Sequence, residues 1–168
     1  KTPLEMIWSE PTCEINGIEG GYTGSGFKTV LPSNATAKIS FRLVGHQNPL
    51  KIRDAFRAYV TGMLPPDCTV SFGDHGASAA SLMATDHPAF EAAKDALNDE
   101  WPDAAAYVGC GGSIPVAGHF KNVTEMDSLL IGFGKDDDQI HSPNEKYDVE
   151  SFHKGIRSWA RILASITD

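Results

Sequence analysis

Two stretches of this 168-residue sequence combine the residue types and spacing that chemistry needs. In the first, IGFGKDDDQIHSPNEK (residues 131–146), the apolar run Leu129-Leu130-Ile131 breaks at Gly132 and Gly134. It then passes through Asp136, Asp137 and Asp138 and ends with His141 ahead of a Ser-Pro turn. A strand entering a glycine-broken loop that presents one histidine is how α/β enzymes deliver a ligand or a base to a cleft at the strand ends. In the second, GCGGSIP (residues 109–115), Tyr107-Val108 leads into Gly111 and Gly112, which let backbone approach a ligand closely, and into the Ser113 hydroxyl.

Other motifs are weaker. GYTGSGFKT (residues 21–29) fails as a phosphate-binding loop. Phe27 separates the last glycine from Lys28, and Val-Leu-Pro follows where a helix N-terminus is required. It reads as a hairpin-type turn with Thr29 near a ligand. The three aspartates lack the alternating acids and distal glutamate of a calcium loop, so they read as a solvated loop. No two of His46, His75, His87, His119, His141 and His153 are four apart, and there is no HExxH or CxxC. Local spacing therefore writes no complete metal site. His46 and His153 read as surface residues, and His87 belongs to a helix first turn. His141, from the residues alone, is either a structural turn histidine or a ligand.

Elements must position these loops. Residues 1–11 read as a linker. Thr12–Ile18 and Ala35–Val44 alternate as strands, the second with Ala37, Ile39, Phe41 and Leu43 on one face and Lys38, Ser40 and Arg42 on the other. Asn48-Pro49 opens a helix whose stripe is Ile52, Ala55, Phe56, Tyr59, Val60 and Met63. Cys68–Phe72 reads as another strand, giving most of a ferredoxin-like split βαβ module. Asp86 caps the next helix, with Phe90, Ala93, Leu97 and Trp101 inward. Tyr107-Val108 and Leu129–Ile131 read as strands flanking a short apolar stretch to Phe120. Asp148 caps a last helix with the stripe Phe152, Ile156, Trp159, Ala160, Leu163 and Ile166. The fold class is α/β with an α+β lid. The expected division is residues 1–79 and 80–168.

Composition narrows the partners. A net charge of −8 disfavours nucleic acid, whose phosphates need a basic face. No apolar run approaches the roughly 18 residues of a spanning helix, so a membrane is not expected. Cys13, Cys68 and Cys110 are odd in number and widely spaced, which fits reduced cytoplasmic thiols. The absence of an initiator methionine gives the expectation of a piece of something longer.

GGSIPV, then HSPNEK some 28 residues on, then a helix such as SFHKGIRSWARIL, resembles the C-terminal end of M20-family zinc peptidases. The likeness is greatest to their carnosinase-type dipeptidase branch and runs from about Pro11 onward. The resemblance implies a lid or dimerisation domain and the end of a catalytic domain, a homodimer, and two zinc ions per complete active site. It makes His141 a zinc ligand, and Gly112 and Ser113 substrate contacts. It places Thr29 and Arg42 at the substrate, Arg42 on its carboxylate, where a planar guanidinium pairs at two points. His75, in GDHG, would polarise the scissile carbonyl. The implied reaction is hydrolysis of a dipeptide or acyl-amino acid with a free carboxylate. The other metal ligands and the general base belong to an N-terminal lobe that these residues do not include, so this chain alone is expected to be inactive. A non-catalytic dimerisation or interaction module is the competing reading.

Overall fold

A computed structural model describes residues 1–73, 75–111 and 114–166. These residues form two compact units, Lys1–Leu82 with Gly109–Thr124, and Met83–Val108 with Glu125–Asp168.

The first unit opens on helix α1 (Pro3–Ser9), where a linker was expected. Thr2 Oγ1 accepts the Glu5 N–H at 3.3 Å, and Glu5 Oε2 accepts the Thr2 N–H at 2.6 Å. With Pro3 in the first turn, this reciprocal cap starts the helix. Strands β1 (Thr12–Gly20) and β2 (Ala35–Arg42) then pair antiparallel, from Thr12 opposite Arg42 to Gly20 opposite Ala35. The register shifts between Ile15 and Gly17, so Asn16 is an extra residue. This bulge puts Ile15 opposite Ile39 and Ile18 opposite Ala37, on one face, although they stand three apart.

Helix α2 (Pro49–Met63) starts as expected, with Asn48 Oδ1 accepting from the N–H groups of Leu50 and Lys51. It packs on the sheet through the Phe56 ring, set edge-on to Phe41 at 5.1 Å. Its inward stripe is narrower than the sequence suggested. Ile52, Phe56 and Val60 are half-buried, but Ala55, Tyr59 and Met63 face outward, because a sheet of two strands covers only one ridge of the helix. Cys68–Phe72 is not a strand. Instead Arg57 holds this segment, donating to the Gly73 carbonyl at 3.2 Å and lying 5.5 Å from the Phe72 ring. The apolar stretch before Phe120 is part of a helix, α4 (Pro115–Thr124).

In the second unit, helices α3 (Pro88–Asn98) and α5 (Val149–Ile166) enclose a core of Ala93, Ala96 and Ile162, with Leu97, Leu129 and Ile131 against it. His87, not Asp86, caps α3, its Nδ1 accepting the Ala89 N–H at 3.2 Å. Asp148 caps α5 as expected, accepting the Ser151 N–H at 2.9 Å. Neither Tyr107-Val108 nor Leu129–Ile131 is a strand. The second keeps a strand's period of two, with Leu129, Ile131 and Phe133 inward and Leu130 and Gly132 outward. It has no ladder partner among the described residues.

The stripe on α5 is inverted relative to expectation. Phe152, Ile156, Trp159, Ala160, Leu163 and Ile166 are exposed, while Ser151, Gly155, Ser158 and Ile162 are buried. The small face is inward because Trp101 and Phe133 lie against it. Their rings stack at 5.6 Å, the Trp101 indole donates to Ser158 Oγ at 2.9 Å, and a side chain at Gly155 would meet Phe133 at 3.1 Å. Glu100 adds ion pairs to Arg157 at 2.6 Å and Arg161 at 3.4 Å.

Candidate functional site

Strand alternation sets the polar face of the β1–β2 sheet. Thr12 and Glu14 precede the bulge on β1, and Ser40 and Arg42 lie across from them. Glu14 is the hub. Its carboxylate accepts from Thr12 Oγ1 at 2.6 Å, Ser40 Oγ at 3.0 Å and Arg42 Nε at 3.3 Å. The Thr12 hydroxyl, with help from Ser40 and Arg42, holds that carboxyl below its ordinary range. Arg42 is thus fixed through Nε, and its Nη1 donates to the Gly111 carbonyl at 3.2 Å.

That bond joins two sequence-predicted features, the strand arginine and the GCGGSIP loop. The glycines of the loop have a within-chain reason. A side chain at Gly109 would strike Trp8, 2.5 Å away, and one at Gly111 would strike the Ile7 carbonyl. Gly111 therefore serves close approach to α1. Gly112 and Ser113 lie outside the described residues. Thr29 is exposed in the loop of residues 21–34, which leaves the Gly20–Ala35 end of the ladder. Arg42 is at the other end, roughly 23 Å along the strand at about 3.3 Å per residue. His75 is exposed in the segment after α2.

His141 belongs to the second unit and is exposed. Its backbone is left-handed, with φ +63°, and its N–H donates to Glu145 Oε2 at 3.3 Å. Beside it an open groove of about 440 Å³ is lined by Gly134, Asp138, Ile140, Glu145, Lys146 and Tyr147. The aspartates do not form a uniformly solvated loop. They form one turn of 3₁₀ helix in which Asp138 is only 2% exposed. The Lys135 N–H and then Lys146 hold its carboxyl below the usual range, and Asp137 with Asp138 raises Lys146. Nothing in the sequence separates Asp138 from its two acidic neighbours.

A metal centre needs several donors together. Among the described residues no group of three or more His, Cys, Asp or Glu stands together that could hold a metal ion. His141 is a suitable donor, but the described residues do not complete a site around it.

Residues 2–165 match peptidase family M20/M25/M40. The chain is similar to the Cys-Gly metallodipeptidase dug1 of Schizosaccharomyces pombe, 31% identical over 99% of this chain and 36% of that protein. It is also similar to the human Beta-Ala-His dipeptidase, 30% identical over 94% of this chain and 32% of that one. Among solved structures, the di-peptidase Dug1p of Saccharomyces cerevisiae superposes with a TM-score of 0.79 at 28% identity, over 96% of this chain and 34% of its own. Human carnosine dipeptidase 1 superposes with a TM-score of 0.72 at 27% identity, over 97% of this chain and 35% of its own. The chain spans about a third of the length of these relatives. With a match running almost end to end, the chain belongs to peptidase family M20/M25/M40.

Proposed function

We propose that this chain supplies part of the active site of a metallodipeptidase acting on a dipeptide or acyl-amino acid with a free carboxylate. The observation that carries this reading is the Arg42–Gly111 bond, which holds a guanidinium at Gly111, the residue that opens GGSIP in the sequence. Glu14 holds the Nε edge, which orients the plane of the fork for a carboxylate partner. Thr29, in the loop off the far end of the ladder from Arg42, and His75 are the further substrate groups, lid residues acting across the homodimer, with His75 donating to the carbonyl oxygen; Gly112 and Ser113 are substrate contacts. His141 is the one metal ligand of this chain, the metal being zinc, two ions in the complete site. The remaining ligands and the base come from outside the described residues. The relatives' names, Cys-Gly and Beta-Ala-His dipeptidases, support a small two-residue substrate.

The first 79 residues act as a lid and dimerisation domain, and residues 80–168 belong to the catalytic domain. Among the described residues each strand of the β1–β2 sheet pairs only with the other, and Ile15 and Ile18 are largely exposed on its apolar face, which favours a homodimer through the lid. Three free, exposed cysteines favour a reducing, cytoplasmic setting. No described helix is long and apolar enough to cross a membrane.

A non-catalytic interaction module is the second reading, favoured by the lack of a donor cluster among the described residues. The two are separated by assaying the full-length gene product on a dipeptide panel with zinc, beside its Arg42→Lys and His141→Ala variants. The peptidase reading expects turnover, a raised KM for Arg42→Lys, and loss of turnover for His141→Ala. No turnover by the metal-loaded full-length protein would favour the module.

A further inference from the structure

The loop that carries His141 leaves and re-enters the fold at one point. The Lys146 N–H donates to the Asp138 carbonyl at 3.0 Å, closing off residues 139–145. Within it the Ser142 N–H reaches the Gln139 carbonyl at 2.9 Å, and the Glu145 N–H reaches the Ser142 carbonyl at 3.2 Å. Gln139, His141 and Asn144 have φ of +53°, +63° and +64°, a left-handed backbone that is uncommon outside glycine, although Asn and His enter it more readily than Gln. Three such residues in six persist only where surrounding structure imposes them. A buried carboxylate at the base of the loop is placed to impose them.

Asp138 sits there, almost wholly buried. Its Oδ2 accepts the Lys135 N–H at 2.8 Å and its Oδ1 accepts Lys146 Nζ at 3.2 Å. Lys146 also reaches Asp137 at 3.0 Å, and Lys135 Nζ reaches Asp148, the α5 cap, at 3.0 Å. One carboxylate thus ties the residue before the turn, the residue that closes the loop, and, through Lys135, the helix behind it. We propose that Asp138 is the positioning residue for His141: with Lys146 it clamps both ends of the 139–145 loop and fixes the backbone from which the imidazole is presented. The inference deepens the reading of His141 as a ligand and rests on it. No local motif announces the clamp, because Asp138 and Lys146 meet only once the loop has closed.

The test uses the 168-residue chain, labelled for NMR, as wild type, Asp138→Asn, Asp138→Ala, Lys146→Met and Lys146→Arg. Carbon shifts report the left-handed backbone at His141 and Asn144, and amide exchange reports loop closure at Lys146 and Ser142. In the Asp138 variants and Lys146→Met, the left-handed signature should fade. Exchange at Lys146 should quicken by about tenfold or more, as expected for losing a hydrogen bond to a charged group. The core amides of Ala93 and Ile162 should stay protected, and Lys146→Arg should keep the wild-type signature. If Asp138→Ala does not fold, Asp138→Asn, which keeps an acceptor for the Lys135 N–H, reads the same signature. An Asp138 variant that keeps the His141 signature would overturn the proposal. So would a loss of protection spread equally over the core. The ligand reading fails separately, if the full-length gene product keeps its zinc content in His141→Ala.

Discussion

Arg42 Nη1 donates to the carbonyl of Gly111 at 3.2 Å, so the last residue of β2 holds a loop 69 residues further along the chain. The guanidinium is not a free surface cation. Glu14 fixes it through Nε, and Glu14 is itself held by Thr12 and Ser40. Under the proposed function, a guanidinium preset in this way would meet a carboxylate without first ordering its own side chain.

Replacing Arg42 therefore tests recognition. Arg42→Ala in the full-length protein should raise KM for a free-carboxylate substrate about 10- to 150-fold, the range of a hydrogen bond to a charged group. A substrate whose carboxylate is amidated should show a much smaller change. Steady-state kinetics on the matched pair of substrates reads the difference.

The α5 helix makes an opposite demand on intuition. Leu163→Gln on its exposed apolar stripe should change stability by no more than about 0.5 kcal/mol. Ser158→Ala, which removes a fully buried acceptor of the Trp101 indole N–H, should cost about 1–3 kcal/mol. Urea unfolding of the two variants reverses the ranking that the hydrophobic pattern alone would give.

Why the pattern misleads here is physical. Local signals were legible. The Asn48 and Asp148 caps, the inward face of α3 at Phe90, Ala93 and Leu97, and the Ala35–Arg42 strand follow from side chains competing for nearby backbone groups or from simple periodicity. Periodicity locates an apolar face but not its partner, so the α5 stripe and the outer ridge of α2 read as core. Cys68–Phe72 and Leu129–Ile131 have strand-like composition, yet a strand also needs a ladder partner, which composition does not show. Helix α1 carries a local signal too, since Thr2-x-x-Glu5 around Pro3 is a capping box. Of the candidate site, Arg42 enters only through the family resemblance and the GCGGSIP loop through its glycines, and neither announces the bond between Arg42 and Gly111.

Acid should loosen the second unit. The Ser151 N–H and then Lys135 hold the Asp148 carboxyl down at about 2, and Asp138 is also lowered. A depressed folded-state value adds stability that is fully present above the ordinary carboxylate range and is lost as pH falls. For Asp148 the loss runs from about pH 4 down through 2. Asp148→Asn should flatten that part of the stability–pH curve, measured by thermal unfolding between pH 5 and 2.

Self-association should follow from the β1–β2 sheet, whose outer edges have no strand partner among the described residues, and from the exposed Ile15 and Ile18. Sedimentation of the chain should show a concentration-dependent dimer that Ile18→Lys weakens. Monomer alone at high micromolar concentration would count against a lid-mediated dimer.

The central claim is that this chain carries a share of an M20 peptidase site and not the whole of it. The direct measurement is turnover of a dipeptide and acyl-amino-acid panel by the purified 168-residue chain with added zinc, beside the full-length protein. The account predicts no turnover by the chain and turnover by the full-length protein that is lost in its His141→Ala variant. Hydrolysis by the isolated chain, or an unimpaired His141→Ala full-length protein, would contradict it.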